Sequence, residues 1–386
     1  IPARMRARLR EEFAVFQRAS WATGASSANA GAGFGGQVDM AALFVERSLQ
    51  LVRTDGVVAL LLPAKLWSSL AGGGVRAMLR EDATLVTLED LSGAEVAFDA
   101  AVYPSLLLAR KGRASAGDER ARLCVHRRGT PYSWRMPRAQ IAFDDSIGSP
   151  WVLAPPDVRA AFEKLRRAGI PLAHTRLGRP LLGVKSGCNE AFVVQAEGVD
   201  DSGSTRIHNA TRSDSIEAAL LRPAIRGEQI TPWRCGRNAN RVIWTHASDG
   251  TALRSLPPHA KRWLAHYRDA LEKRADGGAT DRWWSLFRTD GAMAGAPRVV
   301  WADFGKRPRA AVLPAGDDSV PLNTCYVIKC RSDREALALA AILNSDLAAA
   351  WLNLLAEPAR GGYHRYLGWT VSLLPLPRDW TAACAI

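Results

Sequence analysis

Four short stretches of the chain gather side chains suited to holding phosphates and reading base edges. Lys185 and Asn189 share one turn, where Gly183 and Gly187 allow close backbone approach. Arg226 precedes Gly227 in a second turn. Arg234, Arg237 and Arg241 follow Trp233, and Lys306, Arg307 and Arg309 follow Phe304-Gly305. Arg and Lys neutralise phosphates, and the forked donors of Arg and Asn match the hydrogen-bonding edges of bases. One arginine at such a position reads as solvated surface; the set reads as contact with a polyanion. Eleven of the 13 tryptophans follow residue 113, interleaved with these arginines. Most read as core aromatics, and the adjacent Trp283 and Trp284 are the pair expected at the surface.

Other chemistries are not legible. No Ser-His-Asp arrangement or pair of catalytic carboxylates can be picked out. The six cysteines form no C-x-x-C pair, and none lies near clustered histidines, so no metal is expected. Gly31-x-Gly33-x-x-Gly36 has the spacing of a dinucleotide fingerprint, but the residues before it are small and polar rather than a buried strand. Residues 22–36 read instead as a loop.

The elements that position these residues belong to an ordinary globular chain: 386 residues, 47% hydrophobic and 23% charged, enough for two to three domains. The longest fully apolar run is six residues, Val57–Leu62, far short of the roughly 20 a spanning helix needs. No membrane segment is expected, and the sparse cysteines suit a reducing cytoplasm. Ile1-Pro2-Ala3-Arg4 has no initiator Met and no apolar stretch behind it, and reads as a cut from a longer chain. The net charge is +13. Residues 1–113 hold 13 basic and 11 acidic side chains, leaving +11 for residues 114–386. That places the polyanion-binding face on the later part.

In the first third, Asp39 is a good N-cap for a helix through Arg53. Val57–Leu62, stopped by Pro63, reads as a central parallel strand buried on both faces. A helix over 74–81 and strands at Thr84–Leu88 and Ser105–Ala109 follow. This order is that of the second half of a doubly wound α/β sheet. Residues 111–120 form a polar break, and 114–150 read as a β-rich connector with strands at Ala121–His126 and Gln140–Phe143. Asp157 caps a helix through Ala168. Strands are expected at Phe192–Val194 and Pro321–Ile328, and one helix over Leu337–Leu355. The predicted domains are therefore 1–113, 114–150 and 151–386.

Several segments occur in the order and spacing of a known family. Asp39-x-x-x-Leu43-Phe44-Val45-Glu46-Arg47-Ser48-Leu49, Asp55-Gly56-Val57-Val58-Ala59-Leu60-Leu61-Leu62-Pro63-Ala64-Lys65 and Phe98-Asp99-Ala100-Ala101-Val102-Tyr103-Pro104 resemble adenine-specific DNA methyltransferases of type IIG restriction-modification systems, the Eco57I-like and TaqI-like group. Further on, Gly183-x-x-Ser186-Gly187-x-Asn189-x-x-Phe192, Pro223-x-x-Arg226-Gly227, Leu343-Asn344-Ser345 and Pro375-Leu376-Pro377 resemble the TaqI-like C-terminal specificity domain. The resemblance covers about 370 residues.

It implies an α/β fold: the C-terminal half of a Rossmann-like methyltransferase sheet, then a mixed α/β target-recognition domain. It implies double-stranded DNA as partner and S-adenosyl-L-methionine as methyl donor, for methylation of adenine N6. The family's Asn-Pro-Pro-Tyr/Trp and Gly-rich cofactor motifs have no counterpart here, because they lie upstream, as does the nuclease domain of type IIG enzymes. The chain alone is therefore expected to be inactive. The resemblance also implies an aromatic that stacks on the flipped adenine, best matched by Phe98, with Tyr103 next. Expected DNA contacts are Lys185, Asn189, Arg226, Arg234, Lys306 and Arg307. Two alternatives stay open: a non-catalytic DNA-binding specificity fragment needing a partner chain, and a small-molecule or RNA methyltransferase on the same sheet.

Overall fold

The computed structural model describes residues 3–17, 39–94, 103–113, 120–127, 129–199, 203–236, 238–274 and 282–385. The 22–36 loop with its glycine triplet, and Phe98, lie outside them. The chain forms two compact units. The first comprises 1–179, 305–307 and 349–378; the second comprises 180–304, 308–348 and 379–386.

The first unit is built on a five-stranded mixed sheet of β1 (Val57–Pro63), β2 (Ala83–Asp90), β3 (Pro104–Lys111), β4 (Arg120–Arg127) and β5 (Thr130–Pro137), in the order β1-β3-β2-β4-β5. β3 runs antiparallel to both β1 and β2, β4 runs parallel to β2, and β5 closes the sheet as a hairpin with β4. Residues 120–137, read in the sequence as connector, thus form two strands of this sheet. Val57–Leu62 differs from expectation. Its only pairing among the described residues is antiparallel, and its exposure alternates, with Val58 and Leu62 buried and Val57 and Leu61 open. An unbroken apolar run carries no periodicity, so it cannot report which face is covered.

Helices α1 (Ala3–Glu12), α2 (Ala14–Gln17), α3 (Met40–Leu51) and α4 (Gly73–Asp82) belong to the same unit. Asp39 caps α3 as expected, its Oδ1 accepting from the Ala41 amide at 3.0 Å, while its other oxygen pairs with Lys65 at 2.7 Å. Glu46, on the buried face of α3, accepts from the Ala14 and Val15 amides at 2.9 Å each and so fills the donor-rich start of α2. Arg47 pairs with Glu12 at 2.8 Å and lies over Phe13. The core runs through Val45, Leu49, Leu66, Leu79, Leu88, Leu107 and Leu123, with Trp67 stacked on Trp151 at 5.2 Å.

Arg76 is fully buried among carbonyls. It donates to Leu66, Ser69, Gly148 and Ser149 oxygens at 2.6–3.1 Å, tying α4 to two loops. Burial pulls its pKa down to about 9, opposed by the charge of Glu357, and the group stays a cation at neutral pH. Gln140–Phe143 is not a strand: Arg138–Gln140 is a single 3-10 turn, and only Ala142 bridges to Trp151. Helix α5 (Pro156–Ala168) forms where expected, but Pro155 occupies the cap position and Asp157 lies in the first turn.

The second unit carries a six-stranded and a four-stranded sheet. The first is made of β6 (Val193–Val199), β7 (Ser204–His208), β8 (Ser213–Glu217), β9 (Leu221–Ile225), β10 (Asn240–Ile243) and β13 (Val320–Pro321), in the order β8-β7-β6-β10-β9-β13. The second holds β11 (Arg298–Ala302), β12 (Ala310–Leu313), β14 (Cys325–Lys329) and the pair Leu181–Leu182. Each sheet has its own core, around Phe192, Ile207, Trp244 and Trp263 in one and Ile230, Val300 and Val327 in the other.

Three expected elements are broken. The chain is helical at α6 (Asn189–Phe192), so β6 starts one residue later than the predicted strand. Pro321–Ile328 divides into β13 and β14 around a turn, because the two halves pair in different sheets. Leu337–Leu355 divides into α7 (Asp333–Asn344) and α8 (Asp346–Asn353), bent by 60°. No single helix among the described residues is long and apolar enough to cross a membrane.

The charge follows the units rather than the order of the sequence. The first unit holds 30 basic and 18 acidic residues, net +12, and the second 21 and 20, net +1. The excess assigned above to residues 114–386 therefore sits in the first unit. Residues 120–179 alone carry 12 basic and 4 acidic side chains.

Candidate nucleic-acid interface

The six expected DNA contacts fall in three places. Lys185 and Asn189 share one turn. The Lys185 backbone bridges to Phe287, and the Ser186 hydroxyl donates to Asn189 Oδ1 at 2.7 Å, with the Asn189 side chain exposed. Gly187 there has φ +68°, and a Cβ would strike the Arg274 side chain at 2.5 Å. The glycines thus serve close approach within the chain itself: a Cβ on Gly183 would lie 2.1 Å from the Leu322 oxygen.

Arg226 and Arg234 lie at the two ends of one compact segment. The Arg226 amide donates to Gln229 Oε1 at 2.8 Å, Gln229 Nε2 donates to the Gly236 oxygen at 3.0 Å, and the Gly227 amide donates to Thr324 Oγ1 at 2.9 Å. Arg226 is half-buried and Arg234 exposed. Lys306 and Arg307 belong to the first unit, both exposed, with Lys306 over the Tyr363 ring at 5.6 Å.

The exposed tryptophan is not the expected pair. Trp283 and Trp284 are half-buried against the core of the second unit, the latter donating to the Leu253 oxygen at 3.1 Å. Among the described tryptophans Trp233 is the open one, 52% exposed beside Arg234. It holds φ +71°, uncommon for a bulky residue, while its amide donates to the Ala310 oxygen at 2.8 Å. Its type and neighbour were readable, but its exposure was set by a turn that sequence periodicity does not report.

A second constellation escaped the sequence because its spacing is not C-x-x-C. Glu89 on β2 is the strand partner of Cys124 on β4, and His126 lies two residues along the same face. Their ligating atoms all lie within 4.8 Å of one another, and His126 Nε2 meets Glu89 Oε1 at 2.6 Å. These are donor types that zinc accepts. The contact seen is a hydrogen bond between His126 and Glu89 beside a buried thiol, whose pKa is raised by burial first and by Glu89 next.

Two clefts in the first unit are large enough for a ligand, about 850 and 340 Å³, and arginines line both. Cationic walls suit anions and do not fit a sulfonium methyl donor.

No family model matches the chain. It is similar to the type II methyltransferase M.PaeR7I of Pseudomonas aeruginosa, 22% identical over 352 residues, which are 87% of this chain and 58% of that protein. The chain thus spans somewhat over half the length of this curated relative. In fold it is similar to the type IIL restriction-modification enzyme MmeI, solved in complex with DNA: TM-score 0.55 at 9% identity, covering 96% of this chain and 44% of that one.

Proposed function

We propose that the protein carrying this chain methylates adenine N6 in duplex DNA, with S-adenosylmethionine as donor, within a restriction-modification system of the type IIG kind. The observation that carries the reading is the reach of the likeness to M.PaeR7I, which runs over 87% of the chain and is not confined to one sheet. The segments around Asp39–Leu49, β1 and Tyr103-Pro104 supply part of the methyltransferase sheet. The second unit supplies sequence selection, with Lys185, Asn189, Arg226 and Arg234 as its contacts to bases and phosphates. Lys306 and Arg307 add phosphate contacts from the first unit. Phe98 stacks on the extruded adenine, replacing the neighbours it loses on leaving the duplex.

The test is methyl transfer from labelled S-adenosylmethionine by the full gene product, with nucleoside analysis of the DNA. N6-methyladenine at one duplex sequence is the expected result. Label on cytosine, on RNA or on a small molecule would overturn the reading. In the same protein Phe98→Ala should lower turnover more than duplex affinity, because stacking follows flipping; unchanged turnover removes Phe98 from the site.

A further inference from the structure

We infer that the sugar-phosphate backbone of DNA lies along the first unit, in the cleft between the edge strand β5 and helix α5. The inference rests on the DNA-binding reading above and says which surface carries the nonspecific share of that binding.

The 850 Å³ cleft is lined by six cations: Arg120 and Arg135 from the β4–β5 hairpin, and Arg159, Lys164, Arg166 and Arg167 from α5. Its carboxylates are Asp144, Asp145 and Glu163. The 340 Å³ cleft shares Ala139 and Ala142 with it and adds Arg80, Arg113 and Arg138 with no carboxylate. Together the two neighbouring clefts present nine cations and three anions, within the unit that holds +12.

The internal arrangement favours a bound anion over self-neutralisation. Glu163 is held between two guanidiniums, Arg159 at 2.9 Å and Arg166 at 2.7 Å. One carboxylate thus fixes two cations in place, and a positive charge remains. Arg159 also donates to the Ala142 oxygen at 2.7 Å, and Arg166 lies over the Phe143 ring. Helical spacing brings Lys164 and Arg167 onto the side that faces the hairpin, and both are exposed. Arg135, Lys164 and Arg167 make no ion pair among the described residues. An extended row of fixed guanidiniums with free outer cations matches a chain of evenly spaced phosphodiesters better than one small anion.

The test is duplex binding by fluorescence anisotropy at about 50 to 200 mM salt, where each phosphate neutralised contributes about 0.9 to the slope of log affinity against log salt. The variant Arg135→Ala/Lys164→Ala/Arg167→Ala changes only exposed side chains; Arg254→Ala/Lys261→Ala/Lys329→Ala removes as much charge from the second unit. The cleft variant should flatten the slope by about 2 to 3 and weaken affinity about tenfold or more, equally for two unrelated duplex sequences. The control variant should leave the slope near that of the unaltered chain. Equal losses in both variants, or no change in the cleft variant, would overturn the cleft while leaving DNA binding standing. An unaltered chain that shows no salt-dependent duplex binding would instead sink the DNA reading itself. Circular dichroism of both variants confirms that any loss is not unfolding.

Discussion

Arg76 shows how one side chain can carry a structural argument that composition does not. Its guanidinium meets four separate carbonyls and no carboxylate within bonding distance. Replacing it by Met would take a donor from each of those oxygens, of which the Ser69 oxygen would keep the Gly72 amide. Unfolding in urea should show a loss of about 3–5 kcal/mol, the range for breaking a buried charged network; a loss below about 1 kcal/mol would mean water takes its place. Nothing in the sequence marks Arg76, because a buried arginine and a solvated one are the same letter. The reverse holds for Glu46 and Asp39. Their positions in a recognisable run were legible, and the structure supplies the reason: one closes the start of α2 and the other the start of α3.

At the scale of elements, the segments resembling a specificity domain prove to be joints. Asn344 clasps Ala310 of β12 from both sides, its Oδ1 accepting from the amide at 2.9 Å and its Nδ2 donating to the oxygen at 3.0 Å. The Ser345 hydroxyl then accepts from the Ala348 amide at 3.1 Å, starting α8 after the 60° bend. Asn344→Ala should lower stability by about 1–3 kcal/mol, the cost of leaving an edge-strand pair unmade, read as a shift in thermal midpoint; Asn344→Asp should recover little, since a carboxylate cannot donate to the oxygen. Helix and strand positions in the first third were readable from periodicity and turn residues. The breaks at Leu322–Thr324 and Ser345 were not, since each depends on which distant strand the next piece joins. The same limit hid the cleft between β5 and α5: its cations are plain in the sequence, but the hairpin that faces them is brought there only by pairing with β2.

For the whole molecule, pH reports on a buried histidine in each unit. His246 of the second unit is buried, and burial first, then Arg222, brings its pKa to about 4. The unfolded chain takes up that proton near pH 6.5 and the folded one does not. Stability is therefore full above pH 6.5 and falls as the pH drops from there towards 4. His364 of the first unit shifts the same way, again mainly by burial. Denaturant midpoints measured from pH 7 to 5 should decline, and His246→Gln should flatten part of that decline; a parallel decline in the variant would exclude His246 as its source. The charge asymmetry of +12 and +1 became visible only once the units were drawn, because the sequence boundary at residue 113 cuts through the unit that holds it.

The interleaving of the two units has a practical outcome for anyone wishing to recombine this chain with a similar one. The backbone leaves the first unit after Arg179, returns for 305–307 and for 349–378, and ends in the second. Residues 379–386 are tied into the second unit: Trp380 donates its ring N–H at 2.9 Å to the buried Glu335, which also receives the Arg331 amide. A graft that swaps everything after one crossover point would sever both folds. A working chimera would have to transplant 180–348 as an insertion and carry 379–386 with it, so that recombination succeeds by three matched junctions rather than one.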